Sequence, residues 1–408
     1  MRSLLYLTPS SPFSNGSSIR SLLKVFFWCF TLASFFACEK EDIAQVDAPT
    51  QVIEQHARQS ANQAPFYQKY ASLLSDLAST PEELYYDPGL DALIYQGDII
   101  ITEAFLAKLR IAAGTTAKPT LETEEKHRAF DLFGRWGTVR NADAADITVH
   151  IQTPTEAGVA VFPPEEPLYM EAVERGILSW NNSPDCRINI RLVNANQNPD
   201  CRMIWARIGD VGQAAPPDGD VGELIVVSTE FFRPGDQLFL NFPALESTAA
   251  HEMGHCLGLD HTDANFAQSR YICNSEVAPT NSIMRATLNS SAPETVTTGD
   301  LEALRIMYPN TFPPPTLNVS YNFNGFLGGE INYTYSAPAG LLYGKAKVII
   351  LDLLTGTEVV NQVDCFTGFG SYLIPPGGNG RQYRVSVQSL NWREDRGSRF
   401  ARQTVFVP

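Results

Sequence analysis

The 408-residue chain is 44% hydrophobic and 11% aromatic, with a formal charge of -15, so it can bury two or three domain cores and is not a disordered chain. The acidic balance repels phosphate backbones and anionic lipid surfaces, which excludes nucleic acid as an expected partner.

In chain order, Arg2, Arg20 and Lys24 are the only charges before an apolar run from Val25 to Ala37. That run is too short to span a bilayer but suits the core of an export signal over residues 1–37. Small Ala37 precedes Cys38, and charge follows abruptly in "EKED". The stretch resembles a bacterial lipoprotein signal, although Phe35 stands where an aliphatic residue is usual. It implies lipidation of Cys38 and anchorage at the outer membrane or cell surface, with plain secretion as the alternative.

Residues 38–125 read as an N-terminal pro-like or support region. "QKYASLLSDLAS" and "TEAFLAKLRIAAG" are helical, and the apolar "ALIYQGDIII" lies between them. From 126 to 310 strand and helix signals alternate. "ITVHI" alternates as a strand does, and "PLYMEAVERGILSW" places Met170, Val173, Ile177 and Trp180 on one helical face. "INIRLV", "MIWARI", "ELIVVS" and "QLFLNF" read as further strands, the last two joined by a Pro234-Gly235 turn. The fold class is α+β, a mixed twisted sheet with a helix laid across it. A Pro-rich linker at 311–315 ends this part. Residues 316–408 hold short β-rich runs and no long helical pattern, as in an all-β sandwich.

Five cysteines follow Cys38: Cys186, Cys201, Cys256, Cys273 and Cys365. In an exported protein, Cys186 with Cys201 and Cys256 with Cys273 are candidate short-loop disulfides, buried free thiols being the alternative. Cys365 is left over and is expected to be buried.

"HEMGHCLGLDH", residues 251–261, holds three of the six histidines. Residues 243–257 suit a helix, with Pro243 in its first turn and Gly258 free to take the left-handed position that ends it. Four residues apart on that helix, His251 and His255 can grip one cation, and His261 returns after the reversal as a third ligand. Three protein ligands leave a fourth position for water, as at a catalytic zinc. Glu252, about 100° round the helix from His251, is placed to act on that water. His56, His127 and His150 read as ordinary histidines.

These residues satisfy HExxHxxGxxH and so resemble the metzincin zinc metallopeptidases. They are most similar to the bacterial dual-action HEIGH metallopeptidase family, which has a similar "HEMGHCLGLDHTD" run with one cysteine inside it and another soon after. The resemblance covers roughly residues 95–310. It implies a metzincin-like sheet with an active-site helix, Met284 in "NSIMR" as a turn beneath the metal, and "TTGDLEALRIMYP" as the closing helix. Thr262 looks more like the matrixin branch than its relatives.

The expected function is a zinc-dependent endopeptidase acting on extracellular proteins, with Glu252 as general base toward a metal-activated water. The substrate is expected to add a strand at a sheet edge, with "ELIVVS" as the candidate. Residues 39–185 contain no cysteine, so inhibition by the N-terminal region would be steric or through a carboxylate. Ca2+ at Asp218–Asp220 is a weaker expectation, and the chain is expected to be a monomer. The alternative function is a zinc-retaining, non-proteolytic adhesin or glycan-binding lipoprotein. Tyr333, Tyr335, Tyr372 and Trp392 would then stack on sugars, unless they form the core of the C-terminal domain.

Overall fold

The computed structural model describes residues 59–77, 84–112, 128–130, 138–140, 143–157, 165–232, 236, 238, 240–263, 269–272, 275, 281–286, 293, 295–323, 329–338, 344–366, 368–375, 378, 380–391 and 397–408. The export signal, Cys38, His56 and His127 lie outside them.

The first described stretch forms a lobe of β1 (Gln59–Ser60), α1 (Ala71–Leu77), β2 (Leu84–Asp87), β3 (Ala92–Tyr95), β4 (Ile99–Ile101) and α2 (Glu103–Ala112). "ALIYQGDIII" is two strands: Gln96 (φ 60) and Gly97 (φ 99) both take the left-handed region and fold it into a tight hairpin. β3 and β4 are buried throughout, as an unbroken apolar run requires. One of their faces packs on Phe66, Tyr70, Leu74 and Phe105. The other packs on Ile208, Ala215 and Val226 of the following region.

That region comprises β5 (Arg128–Phe130), β6 (Ile147–Ile151), α3 (Glu166–Leu178), β7 (Ile190–Leu192), β8 (Cys201–Ala206), β9 (Gly212–Ala214), β10 (Leu224–Ser228), α4 (Thr229–Phe232), α5 (Phe242–Cys256), β11 (Leu259–Asp260), β12 (Ser269–Tyr271) and α6 (Thr298–Met307). Its strands join the lobe in a nine-stranded sheet, ordered β1-β2-β3-β4-β9-β10-β8-β6-β7. β10, β8, β6 and β7 are parallel neighbours, and β9 runs antiparallel to β10. β4 lies parallel to β9, with Ile99 opposite Ala214. The α+β class is therefore observed. α3 buries Val173 and Ile177, with Trp180 just beyond its end, while Met170 is half-buried. At Gly176 a Cβ would lie 2.3 Å from the Glu246 carbonyl oxygen, so only glycine lets α3 approach α5 this closely.

Two strand expectations need correction. "ELIVVS" is not an edge: β10 sits between β9 and β8, where its continuous apolar run is covered on both faces. "QLFLNF" is not a strand: Leu238 and Leu240 lie in turns and Phe242 opens α5.

The C-terminal part is two antiparallel sheets. β13 (Thr316–Phe323), β14 (Gly329–Ser336) and β17 (Phe369–Leu373) form one, ordered β13-β14-β17. β15 (Lys345–Asp352), β16 (Thr357–Cys365), β18 (Arg381–Leu390) and β19 (Ala401–Val407) form the other, ordered β16-β15-β18-β19. Between them lies a core that includes Tyr333, Tyr335, Ile350 and Val385, with Tyr372 packed against it. Tyr333 and Tyr335 are thus core rather than a stacking surface, and Trp392 lies outside the described residues.

The cysteine expectations also change. Cys186, Cys201 and Cys256 are free, so neither expected disulfide is present, and Cys273 lies outside the described residues. Cys186 and Cys201 do not bracket a hairpin, because β6 is inserted between β7 and β8. Cys186 instead bridges to Pro309, while Cys201 lies 4.0 Å, sulfur to sulfur, from Cys256. Cys365 is exposed rather than buried, and it is disulfide-bonded.

Candidate metal centre

The Asn241 side chain caps α5 by accepting from the Ala244 N–H at 3.1 Å, and Pro243 occupies its first turn. Every residue from Ser247 to Cys256 is buried. Trp180 Nε1 donates to the Ala250 carbonyl at 2.9 Å. At Gly254 a Cβ would lie 2.3 Å from Met284 Sδ, so Met284 sits directly against the helix. The helix ends as expected: Gly258 has φ 97 and donates its N–H to the His255 carbonyl. β11 then pairs with β5 and carries the chain back to His261.

The three histidines meet. His251 Nε2 lies 3.0 Å from His255 Nε2 and 3.2 Å from His261 Nε2. His251 Nδ1 is 2.7 Å from the Ile283 carbonyl, and His255 Nδ1 is 2.9 Å from the Leu259 carbonyl. A carbonyl only accepts, so these Nδ1 atoms carry protons and the neutral rings turn Nε2 lone pairs toward one another. Such a convergence is repulsive until a cation sits within it.

A fourth ligand was not anticipated from the sequence. Asp98, between the Gln96-Gly97 turn and β4, places Oδ2 2.8 Å from His261 Nε2, 3.4 Å from His251 Nε2 and 3.5 Å from His255 Nε2. These four residues form a group able to hold a metal ion. Ligands about 2.0–2.1 Å from a tetrahedral ion lie about 3.3–3.4 Å apart, close to these separations. Calcium, with oxygen ligands at about 2.3–2.6 Å, needs a wider cage and no imidazoles.

Charge agrees with this geometry. With protons rather than a cation between these groups, burial pushes the Asp98 carboxyl up, but the charge of a protonated His261 and hydrogen bonds from protonated imidazoles outweigh it and hold it well below the usual carboxylate range, in the place a cation would take. Burial opposes protonation of His251 and His261, yet Asp98 raises both. At His255 burial prevails and the value falls to about 4.

Glu252 is 3% exposed, and its Oε2 has no hydrogen-bond partner among the described residues. Burial, then the charge of Asp98, raises its carboxyl well above the usual value. At Gly212 on β9 a Cβ would lie 2.5 Å from Glu252 Oε1, so that glycine makes room for the acid. A cavity of about 260 Å³ opens here, lined by Asp98, Gly212, Thr248, His251, Glu252 and Arg285 among others.

The floor is held by a residue with no expected role. Asp300 is fully buried and accepts from Ser282 Oγ at 2.5 Å and from the Ile283 N–H at 3.0 Å. It also forms the capping box of α6 with Thr297. The turn it fixes presents the Ile283 carbonyl to His251 and the Met284 carbonyl to the Thr262 N–H at 2.8 Å. At the expected calcium position, Asp218 pairs with Lys108 and Asp220 with Arg140. His150 is ordinary, half-buried with Nδ1 near the Val193 carbonyl.

No family model and no curated protein matches the chain. Among solved structures it is similar to the FN5 domain of Drosophila Lar, at 13% identity over 24% of this chain and 98% of that one, with a TM-score of 0.18. It is also similar to wild-type OgpA from Akkermansia muciniphila, at 12% identity over 71% of this chain and 95% of that one, with a TM-score of 0.21. Scores this low carry no conclusion about fold or function.

Proposed function

We propose that the chain is a zinc-dependent endopeptidase of metzincin type. The observation that carries this reading is the convergence of His251, His255 and His261 beside a buried Glu252 that faces a cavity and has an unpartnered oxygen. The imidazole-rich, near-tetrahedral donor set fits zinc. Strand, helix, strands and the histidine-bearing helix follow one another along the chain, the order the family resemblance implies, with Met284 against Gly254 and Asp300 of α6 bonded to the turn that carries Met284.

Zinc, when bound, supplies Lewis acidity toward a peptide carbonyl and its attacking water. The protein supplies the rest. Glu252 accepts the proton of the attacking water and passes it to the departing amine nitrogen. Gly212 leaves room for its carboxylate, and the Ile283 and Leu259 carbonyls hold two imidazoles in the ligating tautomer. β10 offers a substrate strand no free edge, and β9, which borders the cavity, lies between β4 and β10.

A buried, incompletely paired carboxylate is expensive and is of no use to a metal site that is only structural. This favours catalysis over the adhesin alternative. Burial of Tyr333 and Tyr335 also removes two of the aromatics that alternative relied on. The test is chelator-sensitive hydrolysis of casein by the zinc-loaded protein, as wild type and as Asp98→Ala. Hydrolysis in either form supports the reading, and its absence from both, with zinc bound, overturns it.

A further inference from the structure

The C-terminal sandwich departs from the acidic balance of the chain. Residues 316–408 carry eight Lys and Arg against six Asp and Glu, whereas the whole chain stands at -15. Three of these cations share one surface. In the four-stranded sheet Val348 and Ile350 of β15, Val385 and Val387 of β18 and Val407 of β19 point into the core, so the alternate residues of each strand point outward. Lys347, Arg384 and Arg402 hold such outward positions, Lys347 half-buried and the two arginines exposed. Arg384 pairs with Thr404 and Ser386 with Arg402, which makes the two arginines diagonal neighbours, and Lys347 stands on the next strand opposite Gln388. None of the three has an ion pair among the described residues, although Arg402 lies over the Phe400 ring at 5.6 Å. The exposed guanidinium groups of Arg140, Arg175 and Arg191, by contrast, are each held by a carboxylate. Glu358, opposite Leu351 and bonded to Asn361, is an acid at the far edge of this surface.

We propose that this face docks an extended acidic peptide segment and so selects protein substrates that carry Asp and Glu away from the scissile bond. Its role as a substrate grip rests on the endopeptidase reading. Alternate side chains of an extended peptide lie roughly 7 Å apart on one side, close to the spacing of diagonal neighbours across a sheet. Successive carboxylates can therefore meet successive cations. Cations this close repel one another within a screening length, and an acidic ligand relieves that repulsion. Phe406, 55% exposed on the same surface, and the apolar stems of the basic side chains give a peptide further contact. The hydrolytic centre in the same chain favours a peptide over an anionic glycan, since Glu252 is placed to serve amide hydrolysis.

The experiment compares full-length wild type with two triple variants of equal charge loss. One is Lys347→Gln, Arg384→Gln and Arg402→Gln, and the other is Arg140→Gln, Arg175→Gln and Arg191→Gln. The probes, read by fluorescence anisotropy at low and high salt, are a labelled peptide with Glu at every second position, its Gln counterpart and a sulfated oligosaccharide. Wild type should bind the Glu peptide at least about tenfold more tightly than the Gln peptide, and less so as salt rises. The first variant should lose that preference and the second should keep it. No preference, equal loss in both variants or binding of the sulfated probe alone would overturn the docking face. The same two tracts joined to a cleavable peptide test the substrate role on zinc-loaded protein, where KM should be at least about fivefold lower for the Glu tract and the gap should close in the first variant. Hydrolysis with equal KM for both tracts would overturn the substrate grip and leave the endopeptidase standing. Tract binding without hydrolysis would overturn the endopeptidase and leave the docking face standing.

Discussion

Asp98 Oδ2 lies 2.8 Å from His261 Nε2, although Asp98 directly precedes β4 of one sheet and His261 directly follows β11 of another. His261 reaches the site through the Gly258 reversal and β11. Asp98 reaches it because β4 docks on β9.

Removing one imidazole should cost the metal. His261→Ala leaves two histidines and Asp98, and zinc should fall from about one per chain to a small fraction after dialysis against metal-free buffer. Elemental analysis checks this, and full zinc retention would remove His261 from the ligand set.

Gly212→Ala should spare the metal and harm the chemistry. Its Cβ would meet Glu252 Oε1 at 2.5 Å and the Thr248 methyl at 2.8 Å, displacing the acid but none of the imidazoles. Made in an Asp98→Ala background, it should keep normal zinc and lose at least about tenfold in kcat/KM, since misplaced general bases lose much of their effect. Unchanged kinetics would show that Glu252 tolerates the shift.

The helix and its histidines were legible because their information is local: a four-residue spacing fixes two imidazoles on one face, and Gly258 announces the reversal. Met284 and the closing helix followed from the family resemblance. Asp98 was not legible, since the β4–β9 pairing that delivers it spans more than a hundred residues and leaves no spacing. Its trace was an acid directly after a Gln-Gly turn within "ALIYQGDIII". The continuous apolar character of "ELIVVS" already argued for a central strand. The disulfide assignments failed because nearness in sequence was taken for nearness in space, whereas β6 separates β7 from β8.

Asp300→Ala should weaken both the fold and the site. It removes the acceptor for Ser282, Ile283 and Thr297 from a fully buried position, which costs about 2–4 kcal/mol in mutations of this kind. Thermal unfolding should fall by several degrees, roughly as that loss implies, and zinc affinity by about 10–100-fold because the partner of His251 Nδ1 is loosened. Asp300→Asn should recover part of both. Wild-type affinity in the alanine variant would detach this turn from the centre.

Alkylation of denatured, unreduced protein should label Cys186, Cys201 and Cys256 as thiols. Recovery of a Cys186–Cys201 or Cys256–Cys273 peptide would contradict the structure.

Glu252→Gln, compared with its parent in the Asp98→Ala background, tests the central claim most directly. The substitution keeps the shape of the side chain and removes the basic oxygen, so zinc should remain at about one per chain while kcat/KM for a peptide substrate falls at least about a hundredfold. Full activity with zinc in place would contradict the assignment of Glu252 as the base.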